Sequence, residues 1–308
     1  MAEEVKILDI KPETTEVRNA LEAFCEPGDL SEPITNIACK IRRELGRPLL
    51  ILATDFIDSE FVDYFYKFRH ALADTAKSNK SGAPDADILI HSPGGDLNSC
   101  YIIARLLGRW LKSWEALVPG YAASGATLVC LGSANIVMSQ LAQLGPLDPH
   151  ERFFAGERRS PLEAFRALNE LRTMMLDSVD AIVEFLLERK VEPQQALKTA
   201  SEMTLQLVQP IAAKIDPYDL GVFALDRLMA AEYCKRIAAP QDITKRTQRK
   251  VDPQVLVESY PAHDFVIDLE EAKSLNFAVS EATPALEDLF DQIRSLLEQA
   301  HLYVGFVQ

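Results

Sequence analysis

One pattern constrains this chain more than any other, and it occurs twice: a short apolar run breaks into small residues and then opens a helix. The first copy is Ile88-Leu89-Ile90-His91-Ser92-Pro93-Gly94-Gly95-Asp96, and the second is Val118-Pro119-Gly120-Tyr121-Ala122-Ala123-Ser124-Gly125-Ala126-Thr127. Apolar runs of this length, bounded by glycine and proline, read as buried strands. Further strands are expected in the runs at 48–54 and 135–138, with helical spacing over 56–77 and 97–111. Strands alternating with helices predict an α/β fold with a largely parallel sheet.

The second half has a different texture. Ser160-Pro161-Leu162-Glu163 supplies an N-cap serine, a proline at the first helical position and a glutamate that closes a capping box. Apolar spacing then continues to Leu187, and further helices are expected over 193–201, 217–238 and 253–259. Phe265-Val266-Ile267 reads as a short strand, followed by a helix to Leu275. The expected organisation is an N-terminal extension over 1–44, holding a short helix near Thr15–Phe24, and a core over 45–150 that contains both copies of the pattern. A helical insertion or assembly region then covers 151–259, and a C-terminal strand and helix over 260–308 return to the core.

Composition narrows the partners. Apolar residues make up 48% of the 308 and charged residues 25%, the profile of a globular domain. A net charge of −14 opposes broad binding to nucleic acid or anionic membranes. Lys245-Arg246-Thr247-Gln248-Arg249-Lys250 is the local exception and reads as a solvated linker. The five cysteines (25, 39, 100, 130 and 234) are scattered without C-x-x-C spacing, which fits a reducing compartment and core packing. Neither a secretory signal pattern nor an apolar run long enough for a membrane span is present, so a cytoplasmic location is expected.

The repeated pattern also carries chemistry. Glycines 94 and 95 let a backbone N–H approach a ligand with no Cβ in the way. Ser124 stands at a helix start among small neighbours, where a substrate backbone fits and unpaired N–H groups favour negative charge. Alone, the first motif is also what a tight turn uses and the second what an ordinary N-cap uses. Together they supply a nucleophile and donors for the oxyanion that forms in acyl transfer.

These residues resemble a known family. Ser92-Pro93-Gly94-Gly95 followed by a helix, then Tyr121-Ala122-Ala123-Ser124-Gly125, is similar to the Clp protease and signal peptide peptidase A superfamily, with its crotonase-like fold. More specifically, three elements resemble the serine dehydrogenase proteinase branch: His91-Ser92-Pro93-Gly94-Gly95, Ala122-Ala123-Ser124-Gly125-Ala126-Thr127-Leu128 and Leu144-Gly145-Pro146-Leu147-Asp148-Pro149. The likeness continues through Ile215–Gly221 and His263-Asp264 to Lys273. It implies stacked β-β-α turns, homo-oligomeric assembly, Ser124 as nucleophile, and the N–H groups of Gly95 and Gly125 as oxyanion hole.

The proton acceptor is the open position. Clp proteases carry a histidine where this chain has Pro146-Leu147-Asp148, and His150 lies just beyond. Signal peptide peptidases use a lysine, but none occurs between Lys112 and Lys190, which leaves Lys190 or Lys214. His263 matches the family's histidine-aspartate element and is either the general base to Ser124 or a histidine that bonds the turn to the core. His91, beside Gly94, is a further candidate, and Asp148 either orients a base or has a structural role. The expectation is a serine peptidase acting on protein or peptide substrates through an acyl-enzyme, without metal or other cofactor. Access would be limited by assembly or by a regulatory protein partner. The alternatives are a catalytically weak oligomeric scaffold and, less favoured, an acyl-coenzyme A enzyme on the same core.

Overall fold

Where helical spacing was expected near Thr15–Phe24, the chain from Ala20 onward is a strand. The computed structural model describes residues 20–80, 84–147, 152–154, 157–159, 161–238, 252, 254–260, 262 and 265–308. Strand β1 (Ala20–Glu26) pairs antiparallel with the C-terminal strand, and Phe24 lies 5.1 Å from the ring of Tyr64. Its composition alone would tolerate a helix, but the open edge of a sheet supplies hydrogen bonds that outweigh local preference. Helix α1 (Ser31–Leu45) follows and ends at Gly46, whose φ of 69° is the left-handed cap that glycine adopts without strain. Residues 20–44 therefore contribute to the core sheet and its covering layer.

The core continues as β2 (Leu49–Thr54), α2 (Ser59–Tyr66), α3 (Arg69–Ser78), β3 (Ala86–His91), α4 (Leu97–Trp110) and β4 (Trp114–Val118). The helical spacing over 56–77 is thus two helices. Asp58 caps α2 by accepting the Phe61 N–H at 2.9 Å, and the chain tightens at Lys67-Phe68 before α3. Phe61, Phe65, Phe68 and Leu72 still share one buried side. Next come β5 (Tyr121–Ala122), α5 (Gly125–Leu131), β6 (Asn135–Met138) and β7 (Gln143–Leu144).

Beyond these lie a hairpin of β8 (Arg152–Phe154) and β9 (Glu157–Arg159), and then the helices α6 (Pro161–Glu188), α7 (Pro193–Ala212) and α8 (Pro217–Ala238). The last elements are α9 (Leu269–Ser274), β10 (Val279–Glu281), α10 (Pro284–Leu297) and β11 (Leu302–Val307).

Seven strands form the main sheet in the order β1-β11-β2-β3-β4-β6-β10, parallel from β2 to β10. Strands β2 and β3 are buried at every position, as a parallel strand covered on both faces must be. Leu50, Leu52, Ile88, Ile90, Ala116 and Val118 pack with α2–α5, while Ile51, Ala53, Leu89, Leu117 and Val137 pack with α1 and α10. Two-residue alternation thus serves two layers at once.

A second row of pairings runs past the strand ends: Ile57 with Gly95, Ser92 with Ala122, Ala122 with Leu144, and Leu144 with Ile267. Strands β2, β3, β4 and β6 are each followed by a short second pairing, and after β2, β3 and β4 a helix comes next. The result is a β-β-α winding within an α/β fold. Two compact units result: Met1–Asp148 with Ala230–Gln308, and Pro149–Met229. The helical unit is shorter than the expected 151–259, because the last turns of α8 belong to the first unit. There Tyr233 stacks on Tyr101 at 4.1 Å and donates to Asn98.

Candidate active site

The two sequence copies meet at one place. After β3 the Ser92 hydroxyl accepts the Gly94 N–H at 3.1 Å, folding the chain into a tight turn. Gly94 has φ 110°, and a Cβ there would stand 2.9 Å from the Ala123 carbonyl, 2.9 Å from the Gly125 nitrogen and 3.0 Å from Ser124 Cβ. Only glycine meets both demands. Backbone bonds lock the turns together: the Ser92 N–H donates to Tyr121 O and the Ala123 N–H to Ser92 O, each at 3.1 Å.

Gly95 is required for another reason. Ile57 runs alongside it, donating to Gly94 O at 2.8 Å and accepting from the Asp96 N–H at 2.7 Å. A Cβ on Gly95 would collide with the Ile57 backbone, 2.2–2.6 Å away. Because that pairing uses the groups on either side of Gly95, the N–H of Gly95 itself is left out of it. Among the described residues neither it nor the Gly125 N–H donates a hydrogen bond. Gly125 is pressed against the fully buried Cys100, whose Sγ would lie 2.4 Å from a Cβ there.

Ser124 occupies φ 48°, ψ −122° and is 3% exposed. A serine at positive φ is uncommon, and such strain gathers where surrounding structure fixes an active group. Its hydroxyl has no hydrogen-bond partner among the described residues. On its other side passes a strap, Gln143–Leu147. A Cβ on Gly145 would be 3.1 Å from both Ala123 Cβ and the Ser124 nitrogen. Leu144 exchanges two 2.9 Å backbone bonds with Ile267, and the Leu147 N–H donates to Leu256 O at 3.0 Å.

The remaining candidates separate. His91 extends the Leu89 side of the sheet, the face covered by α10, whereas the helix that Ser124 opens packs on the opposite face. Its ring lies 4.1 Å from that of Tyr121 and against Gly120, beside Arg294. Neither ring nitrogen has a hydrogen-bond partner among the described residues, and burial, then the Arg294 charge, push its pKa down to about 4, against the pull of Asp55. Lys190 and Lys214 belong to the helical unit, where both side chains are exposed. Asp148, His150, Ser160, His263 and Asp264 lie outside the described residues.

Sequence reasoning missed two contributors. Ile57 supports the glycine turn through its backbone alone, which leaves no trace in side-chain chemistry. Thr127, fully buried in α5, carries a polar hydroxyl inside an apolar helix, and a buried hydroxyl needs a partner. Among the described residues no group of three or more His, Cys, Asp and Glu could hold a metal, and no helix is long and apolar enough to cross a membrane.

The fold and the paired turns define the class, an α/β protein with a serine at a strained strand-to-helix turn. Residues 74–158 match the family described as ClpP-like SDH-type serine proteinase. The chain is 27% identical over 198 residues to the uncharacterized protein MJ0137 of Methanocaldococcus jannaschii, covering 64% of this chain and 54% of that one. It is 36% identical over 63 residues to the uncharacterized protein MJ1495 of the same organism, 20% of this chain and 22% of that one. The chain therefore spans about half or less of the relatives it matches. Among solved structures, ClpP1 from Listeria monocytogenes is 12% identical, with 82% of this chain and 99% of that one covered and a TM-score of 0.34. A variant of the 1510-N membrane-bound stomatin-specific protease is 19% identical, with 49% and 67% covered and a TM-score of 0.30.

Proposed function

We propose that this protein is a serine peptidase in which Ser124 is the nucleophile and the N–H groups of Gly95 and Gly125 hold the oxyanion. The observation that carries the reading is the junction of the two turns. A strained serine sits against Gly94, and the glycine N–H groups on either side of that contact donate to nothing else among the described residues. Donors fixed before the reaction, aimed where charge develops, need no reorganisation as the tetrahedral intermediate forms.

The steps balance without a cofactor. Ser124 Oγ attacks the peptide carbonyl carbon while its proton passes to a base. The carbon–nitrogen bond then breaks, the departing amine takes that proton, and water hydrolyses the resulting ester. His263 is the proposed base. In sequence it comes four residues before Ile267, which pairs with Leu144 in the strap against Ser124. A fluorophosphonate probe tests both roles. The wild-type protein is expected to label, Ser124→Ala not at all, and His263→Ala about 100-fold more slowly. Equal labelling of wild type and Ser124→Ala would reject the assignment.

Self-association through the helical unit belongs to the same reading. Leu205, Leu207, Leu225 and Leu228 are each 57–66% exposed there, and Tyr218 is 76% exposed. Large apolar side chains left on solvent at this density are a mark of surfaces that bind other proteins. The buried positions of α7, by contrast, are Ala196, Ala200, Thr204 and Val208.

A further inference from the structure

Thr127 lies inside α5, fully buried. Its hydroxyl is 2.7 Å from the Ala122 carbonyl and 2.9 Å from the Gly145 carbonyl, and it accepts the Gly145 N–H at 3.0 Å. A hydroxyl offers one proton and two lone pairs. Its proton goes to a carbonyl, with Ala122 the nearer, and one lone pair receives Gly145. This one oxygen therefore ties the residue two before Ser124 to the strap that lies against the Ser124 amide.

The position of that tie is what matters. Ser124 is held at φ 48°, an arrangement that persists only where the surroundings fix it from several sides. One side is backbone: Ala123 donates to Ser92 O, Ala126 to Ala123 O and Leu128 to Ser124 O. The other side is the Gly145 strap. Among the described residues, no other side chain hydrogen-bonds to the backbone of Ala122–Gly125. We infer that Thr127 is the positioning residue of the active site: its hydroxyl clamps the Gly145 strap against the Ser124 turn and so sets the aim of the nucleophile and of the Gly125 N–H. It touches neither substrate nor reacting atoms and acts through Ala122 and Gly145.

The inference rests on Ser124 being the nucleophile, and the test separates the two. Fluorophosphonate labelling of the full chain is followed as kinact and KI for wild type, Thr127→Val, Thr127→Ser and Ser124→Ala, with folding checked by circular dichroism and thermal unfolding. If wild type and Ser124→Ala label alike, the nucleophile reading fails before Thr127 is reached. With wild type active, Thr127→Val, of nearly the same shape, is expected to remain folded and to lose about 100-fold in kinact while KI changes little, since a small misplacement of reacting groups costs about that much. Thr127→Ser, which keeps the hydroxyl, should recover most of the loss. Unchanged kinact in folded Thr127→Val overturns the inference, as does a serine variant no faster than the valine one. If Thr127→Val does not fold, Gly145→Ala presses on the same junction with a Cβ and must slow kinact. Should it fold and label normally, or should neither variant fold, Thr127 serves the fold alone and the inference is overturned.

Discussion

At the scale of single residues, the site depends on positions where a side chain would do harm. Gly94 shows this most sharply, because positive φ and close contact with the Ala123 and Gly125 backbone and with Ser124 Cβ exclude a Cβ independently. Gly94→Ala is expected to cost about 2–4 kcal/mol of stability, from left-handed strain and forced displacement together, and to abolish labelling in whatever remains folded. Chemical denaturation beside a labelling gel checks both. His91 makes a different prediction. Its pKa falls from the ordinary 6.5 to about 4 in the folded chain, chiefly because burial disfavours the charged ring. Between those values the unfolded chain binds the extra proton and the folded chain does not, so this residue's contribution to stability is lost as pH falls from about 6.5 towards 4. The loss amounts to about 3 kcal/mol at full extent. His91→Phe, a ring of similar shape that cannot take a proton, should flatten that part of the stability profile. An unchanged slope in denaturation between pH 7 and pH 4.5 would contradict the account.

At the scale of elements, the strap and its partners decide whether the serine is held. Ile267 both donates to and accepts from Leu144, and Gly145 rests on Ser124 one residue later. Ile267→Pro removes one of those two bonds. It is expected to destabilise the protein by about 1–3 kcal/mol and to slow labelling more than the stability loss alone accounts for. A labelling rate that follows only the folded fraction would show that the strap is a passive neighbour. Much at this scale was legible in the sequence. The parallel strands over 49–54, 86–91 and 114–118 and the helix opened by Asp96 follow from apolar runs and their punctuation. Asp96 accepts the Ser99 N–H at 2.8 Å as an N-cap should. The strand at Ala20–Glu26 was not legible, because its partner β11 lies at the far end of the chain. Nor was the break at Lys67-Phe68, where Phe61, Phe65, Phe68 and Leu72 keep one buried face through two helices.

At the scale of the whole molecule, two units carry different burdens. The first encloses two apolar layers about a seven-stranded sheet and holds the serine turn; the second presents apolar helices to solvent. If the helical unit joins copies of the chain, Leu225→Asp with Leu228→Asp should lower the mass seen by light scattering at equal concentration and leave the unfolding of the first unit unchanged. A wild-type protein of monomer mass at high concentration would remove the self-association reading and leave the Ser124 site untouched.

The sequence by itself determined the alternation of strand and helix, the glycine turn, the serine turn and the order in which they follow. Each of these is local: apolar runs, caps and small residues act over a few positions. Only the tertiary structure decided that Gly94 lies against Ser124, that Ile57 occupies the space a Cβ on Gly95 would need, that Thr127 binds Gly145, and that His91 faces the α10 layer. Those outcomes depend on strand register and on which face of the sheet a residue meets. Pairing between segments far apart in the chain sets both, and no single segment contains that information.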